Sequence, residues 1–447
     1  MKKWWRHRKT IIEITSYKDI LKYTFPSILM MLFTALYWMV DGLLSSLYIG
    51  TDALSSINIV YPYLCLIVAI GVMIGTWWSA NLAEKLWEGK EVEARKSFSQ
   101  LIVFTILIGI ILSVLSYIFA EPIVRFLWAD GELYLNSYKY FKVVALFSVA
   151  SLLQQVFQML FITAWKPKTG LIITLFWGVM NIVLGYLFLA YFNLWVTWAW
   201  LASGIAWTLI SIYGIVYFSE KNTALYFTKF KLKLKEFFSA LENGCSEMVT
   251  DVSTSITTFF FNILMLKYFW NDGVAAATII LYFELFIYSI YIGFSNWIAP
   301  IESYYYWEKD YKSLRKLVLH NLKILAIASI LLTAFAYWFW DFFIQWLSWS
   351  TDSVYTLASA WWLIFFTCFL FAWINIYVSS FFTSVWNDKI SALISFLRSL
   401  VITSACLILF PMVFGAKSIW FAVPFAELVS ILISCYYSKK YWKRYKL

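Results

Sequence analysis

Two stretches of this chain, TWWSANLAEKLWEGKEVEARK at 76–96 and NWIAPIESYYYWEKDYKSLRK at 296–316, align with each other without a gap. The identical pairs, at an offset of 220 residues, are Trp77 and Trp297, Trp87 and Trp307, Glu88 and Glu308, Arg95 and Arg315, and Lys96 and Lys316. A second match, at an offset of 221 residues, joins Trp165 with Trp386 and Lys168 with Lys389. Because the two offsets are nearly equal, the sequence predicts two halves with the same topology.

The composition indicates a protein that lies in a lipid bilayer. Of the 447 residues, 62% are hydrophobic and 13% are charged, and the mean hydropathy is +0.74. A soluble protein carries about 25% charged residues, because its surface must be wetted. The five cysteines are odd in number and lie apart within apolar runs, which excludes a secreted disulfide scaffold.

Apolar stretches of about 20 residues, the length that spans a bilayer, recur along the whole chain. We predict twelve spans, near 21–48, 53–81, 99–120, 137–164, 169–192, 196–218, 238–268, 274–300, 319–345, 355–384, 388–413 and 417–438. The expected fold is an all-α polytopic membrane protein, with twelve transmembrane helices in two six-helix bundles related by the internal repeat. The expected domains are an N-terminal lobe at 1–218, a basic cytoplasmic linker at 219–236 and a C-terminal lobe at 237–447.

Lysine and arginine are concentrated at the two termini and in the loops after the even-numbered spans. The opposite side receives only Arg125, Lys139, Lys142, Lys267 and Lys417. By the positive-inside rule we expect a multi-pass protein of the plasma (inner) membrane with both termini in the cytoplasm. This asymmetry accounts for the net charge of +10, so the expected partner is the lipid bilayer and no nucleic acid is required.

Acidic residues inside predicted spans are the first candidates for a functional site, because a charge in the bilayer costs several kcal/mol. Asp41 lies in the first span, and Glu247 and Asp251 lie four residues apart on one face of the seventh. Two carboxylates on one face do not both ionise cheaply, which suits a site that exchanges a proton or Na⁺ for another cation. We therefore predict that these three residues bind a coupling ion, with no further cofactor.

Six other polar residues within spans are secondary candidates. They are Glu284, Arg398 and Glu427 in the C-terminal half, and Gln154, Gln158 and Asn181 in the N-terminal half. The alternative for Arg398 and Glu427 is a structural ion pair that fixes helix packing. The alternative for the three amides is that they hold helices together rather than line a cavity.

Several segments of the chain resemble the MATE family of multidrug and toxic compound extrusion transporters, within the MOP flippase superfamily. They are VDGLLSSLYIGTDALSSINIVYPY, IGTWWSANLAEKLWEGK, ITAWKPKTGLIITLFWGVMNIVL, ENGCSEMV, FSNWIAPIESYYYWEKD and SSFFTSVWNDKISALISFLRSLV. The resemblance extends over about residues 15 to 440 and implies two six-helix lobes around a V-shaped cavity. It also implies export of small cationic or amphipathic compounds by antiport with H⁺ or Na⁺. We expect the protein to be a monomer.

The resemblance also assigns individual residues. Asp41 matches the family's acidic residue of the first helix, Glu247 that of the seventh, and Asn181 the asparagine of an NIxLD pattern. Gly185 stands where many members carry the aspartate of that pattern, which puts a cation site in the N-terminal lobe in doubt. Glu302 stands where relatives usually have an aliphatic residue, and the sequence offers no explanation for it.

Three other classes of function remain as alternatives. A flippase for a lipid-linked oligosaccharide, in the same superfamily, favours a cavity lined by Lys and Arg that holds a diphosphate, whereas the embedded charges here are mainly acidic. A membrane-embedded enzyme needs clustered catalytic groups, but His7 and His320 are isolated and no GxSxG, HExxH, Walker or GxGxxG motif occurs. A channel does not need duplicated lobes, so we expect a transporter rather than a channel. Because no catalytic cluster is visible, we expect that the protein is not an enzyme.

Tryptophan is unusually frequent, with 26 residues against 16 glycines. The resembled family typically has glycine where this chain has, among others, Trp77, Trp78, Trp87, Trp297, Trp307 and Trp386. Such corners favour a residue without a Cβ. Our hypothesis is that many of these tryptophans are UGA codons read as glycine in the source organism. The rival interpretation is an aromatic belt at the membrane surfaces.

Overall fold

The computed structural model of the chain describes residues 16–49, 51–127, 131–164, 167–188, 196–221, 223–231, 234–348, 352–385 and 387–442. At several positions inside its helices, including 41, 247 and 251, it describes the backbone and not the side chain. The described residues form helices and short connections. Since a backbone inside a bilayer must satisfy its own hydrogen bonds, an apolar chain of this kind folds into helices.

Eight helices make up the first half of the described chain: α1 (Tyr17–Ile49), α2 (Thr51–Trp87), α3 (Glu91–Ile118), α4 (Ala120–Phe126), α5 (Gly131–Leu146), α6 (Ser148–Thr163), α7 (Pro167–Tyr186) and α8 (Val196–Ser219). Seven follow: α9 (Leu234–Trp307), α10 (Tyr311–Ser348), α11 (Asp352–Phe365), α12 (Phe369–Ser384), α13 (Asp388–Phe396), α14 (Thr403–Phe414) and α15 (Ala422–Trp442). Two 3₁₀ turns, at Phe366–Cys368 and Ala416–Phe421, and a π-helical turn at Leu397–Ile402 connect helices of the second half.

Ten helical stretches among the described residues are long and apolar enough to cross a bilayer. An eleventh candidate consists of α5 and α6, which meet at a bend of 54°. The remaining predicted span, the seventh at 238–268, falls on the first part of α9, where the side chains up to residue 247 lie outside the described ones. The all-helical, multi-pass fold is confirmed, while the number of twelve spans stays a prediction.

The segment α9 contains both the seventh and the eighth predicted spans, as two helices that meet at a kink. The kink is at Trp270, which departs from helical geometry with φ 58° and ψ −158°. The sequence separates the two spans at 269–273, and the structure concentrates the break at Trp270. A positive φ at one residue is enough to interrupt a helix, because it turns the next peptide away from the helix axis.

The internal repeat is visible in the backbone hydrogen bonds of two turns. At the end of α2, Gly89 donates to the Leu86 carbonyl at 3.2 Å, and Lys90 donates to the Lys85 carbonyl at 2.9 Å. At the end of α9, 220 residues later, Lys309 donates to Tyr306 at 3.1 Å and Asp310 donates to Tyr305 at 3.0 Å. Gly89 and Lys309 both have a positive φ, of 76° and 58°. The two halves of the sequence therefore build the same turn.

One compact unit consists of residues Leu36–Phe259. Part of its core is a hydrophobic cluster on α2, α3 and α6 that includes Leu82, Leu101 and Val156, each fully buried. Residues 223–231 of the basic segment pack against α3 within this unit. The backbone N–H of Thr228 donates to the Ser99 hydroxyl at 2.8 Å, and Arg95 Nε donates to the Ala224 carbonyl at 3.1 Å.

The other compact unit consists of Met1–Ala35 and Phe260–Leu447. The first part of α1 approaches α9 so closely that a Cβ on Gly293 would lie 2.9 Å from the Cα of Ile28. Tyr17 of α1 also packs on the imidazole of His320 in α10, with ring centroids 4.2 Å apart. The predicted lobes, divided at 219–236, follow the sequence repeat and not the contacts that define these compact units. The division therefore stays a prediction.

Candidate functional site

Three of the secondary candidates come together inside the unit formed by Met1–Ala35 and Phe260–Leu447. Arg398 Nη1 lies 2.9 Å from Glu427 Oε1, and the two side chains are 14% and 6% exposed. Glu284, on α9, is half-buried, and its carboxyl interacts electrostatically with both of them. The sequence-based alternative of an ion pair between Arg398 and Glu427 is therefore present, with a second carboxylate beside it.

Helices α9, α12 and α15 each add a hydrogen-bond partner to this network. The hydroxyl of Tyr288 donates to Glu427 Oε1 at 3.2 Å, and Asn375 Nδ2 donates to Glu427 Oε2 at 2.7 Å. The Ser434 hydroxyl in turn donates to Asn375 Oδ1 at 2.8 Å. We define the polar network as Glu284, Tyr288, Asn375, Arg398, Glu427 and Ser434.

Sequence reasoning missed Tyr288, Asn375 and Ser434. Tyrosine and serine are common in apolar helices, so neither gives a signal of its own. Asn375 does give one, because an amide in the apolar run FLFAWINIYV is costly unless it is hydrogen-bonded. At the 221-residue offset of this helix, Asn375 also matches Gln154, which had been a candidate.

Arg398 lies in the π-helical turn Leu397–Ile402 between α13 and α14. A π turn inserts one residue into a helix, and such turns occur often at functional sites. The hydroxyl of Thr403 donates to the Arg398 carbonyl at 2.7 Å, which satisfies a main-chain acceptor beside the irregular turn. Arg398 is therefore held on an irregular turn, and its main-chain carbonyl still has a hydrogen-bond partner.

The charges of the polar network do not balance. Glu284 and Glu427 contribute two carboxylates and Arg398 contributes one guanidinium, all within segments that could span the membrane. In a medium of low dielectric constant, an uncompensated charge is costly and is neutralised by a proton or a counter-ion. The network can therefore take up one proton or one small cation.

The three predicted ion-coupling residues lie at positions outside the described side chains. Asp41 is in α1, and Glu247 and Asp251 are in the first part of α9, all within residues Leu36–Phe259. Their helical setting agrees with the spans predicted for them. Their role as ligands of a coupling ion stays a prediction.

Two of the three candidate amides in the N-terminal half make hydrogen bonds between helices. Asn181 on α7 is 3% exposed and donates to the Ser203 hydroxyl of α8 at 2.7 Å. Gln158 on α6 donates to the Thr174 hydroxyl of α7 at 3.4 Å. Gln154 is 8% exposed. Such interhelical contacts agree with the alternative given for these residues, and their part in a cavity stays a prediction.

The fold and the polar network are those of a multi-pass helical membrane protein with charged groups inside its helix bundle. The MatE family model matches residues 26–187 and 248–408, so both halves of the repeat fit it. The chain therefore belongs to the MATE family, as the sequence resemblance indicated.

Known proteins agree with this assignment. The chain is 23% identical over 301 residues to the multidrug export protein MepA of Staphylococcus haemolyticus (strain JCSC1435), a match that covers 65% of each protein. It is also similar to a multidrug resistance MATE family transporter of the MOP superfamily in its inward-facing conformation, with a TM-score of 0.83 and 16% identity over 92% of this chain and 95% of the other. A MOP superfamily transporter from Pyrococcus furiosus Vc1 has a TM-score of 0.85 and 17% identity, with 97% of both chains covered. At these identities, the solved structures establish the fold.

Proposed function

We propose that this protein is a secondary-active exporter of small organic cations, driven by the inward movement of protons or Na⁺. The observation that carries the proposal is the polar network, in which the carboxyl of Glu284 lies near the buried ion pair of Arg398 and Glu427. Membership of the MATE family and the similarity to a multidrug export protein support the same function. The acidic excess favours cationic over anionic substrates, and so favours an exporter of cations over a flippase for a diphosphate-linked lipid.

The ion and the substrate would act on one conformational equilibrium. An ion that binds one conformation better than another shifts the population towards it by its difference in affinity. In this scheme, a proton or Na⁺ at the polar network favours the conformation that releases the drug outside. Asp41, Glu247 and Asp251 form the predicted second set of ion ligands.

Glu284→Gln is the sharpest test of the polar network. The substitution removes the unbalanced carboxylate and leaves the contact between Arg398 and Glu427 in place. Coupling free energies between sites are about 1–3 kcal/mol, or about 5–150-fold in affinity. We therefore expect gradient-driven export of ethidium, measured in proteoliposomes, to fall by about that factor. Glu121→Gln, which removes an exposed carboxylate next to Arg125, is the matched control and retains export.

Imposed gradients identify the coupling ion in the same vesicles. Transport driven by a pH gradient without Na⁺ assigns the proton, and transport that requires a Na⁺ gradient at constant pH assigns Na⁺. Ethidium export that needs neither gradient contradicts the proposal. Undiminished, gradient-dependent export in both Asp41→Asn and Glu247→Gln would rule out the predicted second set of ligands.

A further inference from the structure

A second buried carboxylate lies in the same unit, outside the polar network. Glu302 on α9 is 0% exposed. The Tyr377 hydroxyl of α12 donates to its Oε1 at 2.5 Å, and Asn321 Nδ2 of α10 donates to the same atom at 3.0 Å. The Ser384 hydroxyl donates to its Oε2 at 3.3 Å. Two helices, α10 and α12, thus direct hydrogens at the carboxyl that α9 carries.

No ion pair reaches Glu302 from the part of the chain that the structure describes. Tyr377 is the titratable group in contact with it. On its own helix the neighbouring titratable groups are Tyr305 and Glu308, further towards the helix end. On α10 the neighbour is His320, whose ring packs on Tyr17. Burying an ionised carboxylate without a counter-charge costs free energy. The structure must therefore neutralise Glu302 in some other way.

The same site contains a buried hydrogen-bond acceptor without a donor. Asn321 is 0% exposed, and its Oδ1 has no hydrogen-bond partner among the described residues. Its amide group donates to Glu302 and, at 3.2 Å, to the Tyr377 hydroxyl. An unpaired buried acceptor costs about 1–3 kcal/mol. The cluster therefore lacks one hydrogen as well as one positive charge.

A proton on Glu302 supplies the missing positive charge, because it neutralises the carboxyl that Tyr377 and Asn321 contact. A metal cation fits less well, because hard cations need several oxygen ligands with their lone pairs directed inwards, whereas three contacts here direct hydrogens at the carboxyl.

The first half of the repeat shows that the fold does not require a polar cluster at this corner. At the repeat offsets of 220 and 221, Glu302 corresponds to Leu82, Asn321 to Leu101 and Tyr377 to Val156. The three apolar residues are fully buried members of one hydrophobic cluster. The C-terminal half therefore places a carboxylate where hydrocarbon is sufficient for packing.

We propose that Glu302 is a proton-binding site, distinct from the polar network, that is occupied by a proton when the corner of α9, α10 and α12 is packed. Glu302 lies five residues before the end of α9, about 7.5 Å along the helix axis from the turn at 308–310. That turn is on the side that the basic residues assign to the cytoplasm. The proton is thus exchanged with the cytoplasmic side. The proposal does not depend on the transport activity.

The pH dependence of thermal unfolding in detergent tests the proposal. If the folded protein holds the proton and the unfolded chain does not, stability is highest at low pH and falls as the pH rises and the proton leaves. Glu302→Gln imitates the neutral acid, because it has nearly the same shape, carries no charge and keeps an oxygen that accepts from Tyr377. We expect this variant to match the wild type at low pH and to lose the fall in melting temperature at high pH. Glu308→Gln, an exposed carboxylate at the end of the same helix, retains the wild-type profile.

Two outcomes would overturn the proposal. One is a Glu302→Gln variant that is destabilised equally at every pH, which would mean that the fold needs the charge. The other is a melting temperature that depends on NaCl, but not on choline chloride, at constant pH in the wild type alone, which would assign Na⁺. Infrared difference spectra provide a second measurement on folded protein. The carbonyl band of a protonated acid should be present at neutral pH, shift in Tyr377→Phe and be missing in Glu302→Gln.

Discussion

Arg398 supplies the single positive charge of a network that also contains Glu284 and Glu427. Removing one member of a buried ion pair leaves an uncompensated charge and costs about 3–5 kcal/mol. We therefore expect Arg398→Met to lower the free energy of unfolding by about that amount, as measured by denaturant titration in detergent.

The double variant Arg398→Met with Glu427→Gln should be less destabilised than Arg398→Met alone, because it removes one of the two stranded carboxylates. Arg125→Met is the control, since Arg125 and Glu121 are 61% and 57% exposed and such pairs contribute about 0–1 kcal/mol. Equal losses in Arg398→Met and Arg125→Met would contradict the burial argument.

The backbone conformation of Trp270 bears on the hypothesis that some tryptophans are glycine in the source organism. Its φ of 58° and ψ of −158° belong to a region that glycine occupies almost alone, and the matching residue of the first half is Gly50. A residue with a Cβ costs about 1–3 kcal/mol there. Trp270→Gly should therefore raise the free energy of unfolding by about that amount.

Trp338, 83% exposed in the regular helix α10, provides the opposite control. Trp338→Gly should lower the free energy of unfolding by roughly 0.5–1 kcal/mol, because glycine is a poor helix former. Peptide masses from the native source decide the coding hypothesis itself. Tryptophan at residue 270 in those peptides refutes codon reassignment at this position.

At the scale of single elements, the start of α10 depends on a cap that its repeat partner lacks. Asp310 Oδ1 accepts from the backbone N–H of Ser313 at 3.1 Å, whereas Lys90, at the same place before α3, makes no capping hydrogen bond. Asp310→Ala should cost about 0.5–2 kcal/mol of unfolding free energy. Lys90→Ala should cost much less, and the same unfolding measurement compares the two.

The effect of Asp310→Ala should depend on pH. Hydrogen bonds from the hydroxyl and the backbone N–H of Ser313 hold the pKa of the Asp310 carboxyl below its usual value. A lowered pKa stabilises the fold above the pKa of the unfolded chain, and this stabilisation is lost as the pH falls through the pKa of the folded protein. The difference between wild type and Asp310→Ala should therefore shrink in acid, and a difference that grows in acid would contradict the cap.

Helix positions were predictable because apolar runs of bilayer length carry a strong local signal. The structure differs from the prediction at connections. The seventh and eighth spans are separate helices, but they follow each other directly at a kink confined to Trp270, and the fourth span is bent between Leu146 and Ser148. The hydropathy of a sequence contains no information about φ and ψ at a single residue, so these breaks could not be predicted from it. Contacts such as Tyr288 and Asn375 with Glu427 were equally hidden, because they join residues 52 to 139 positions apart.

At the scale of the whole molecule, the distribution of basic residues predicts which loops face the cytoplasm. Glu88 and Glu121 are both exposed and lie at opposite ends of the predicted spans. In a chain without other reactive cysteines, Glu88→Cys should react with a membrane-impermeant thiol reagent only in inside-out vesicles. Glu121→Cys should react only in right-side-out vesicles, and the reverse pattern would invert the predicted topology.

The contrast between the corner at Leu82 and the corner at Glu302 bears on how a duplicated chain diverges. In a symmetric dimer of identical six-helix subunits, every substitution appears twice, so a buried acid at this corner would bring two desolvation penalties. Once the two copies are fused in one polypeptide, one can acquire the acid while the other retains leucine. Fusion therefore allows one half of the chain to bury an acid while the other half retains its hydrocarbon packing at the same corner.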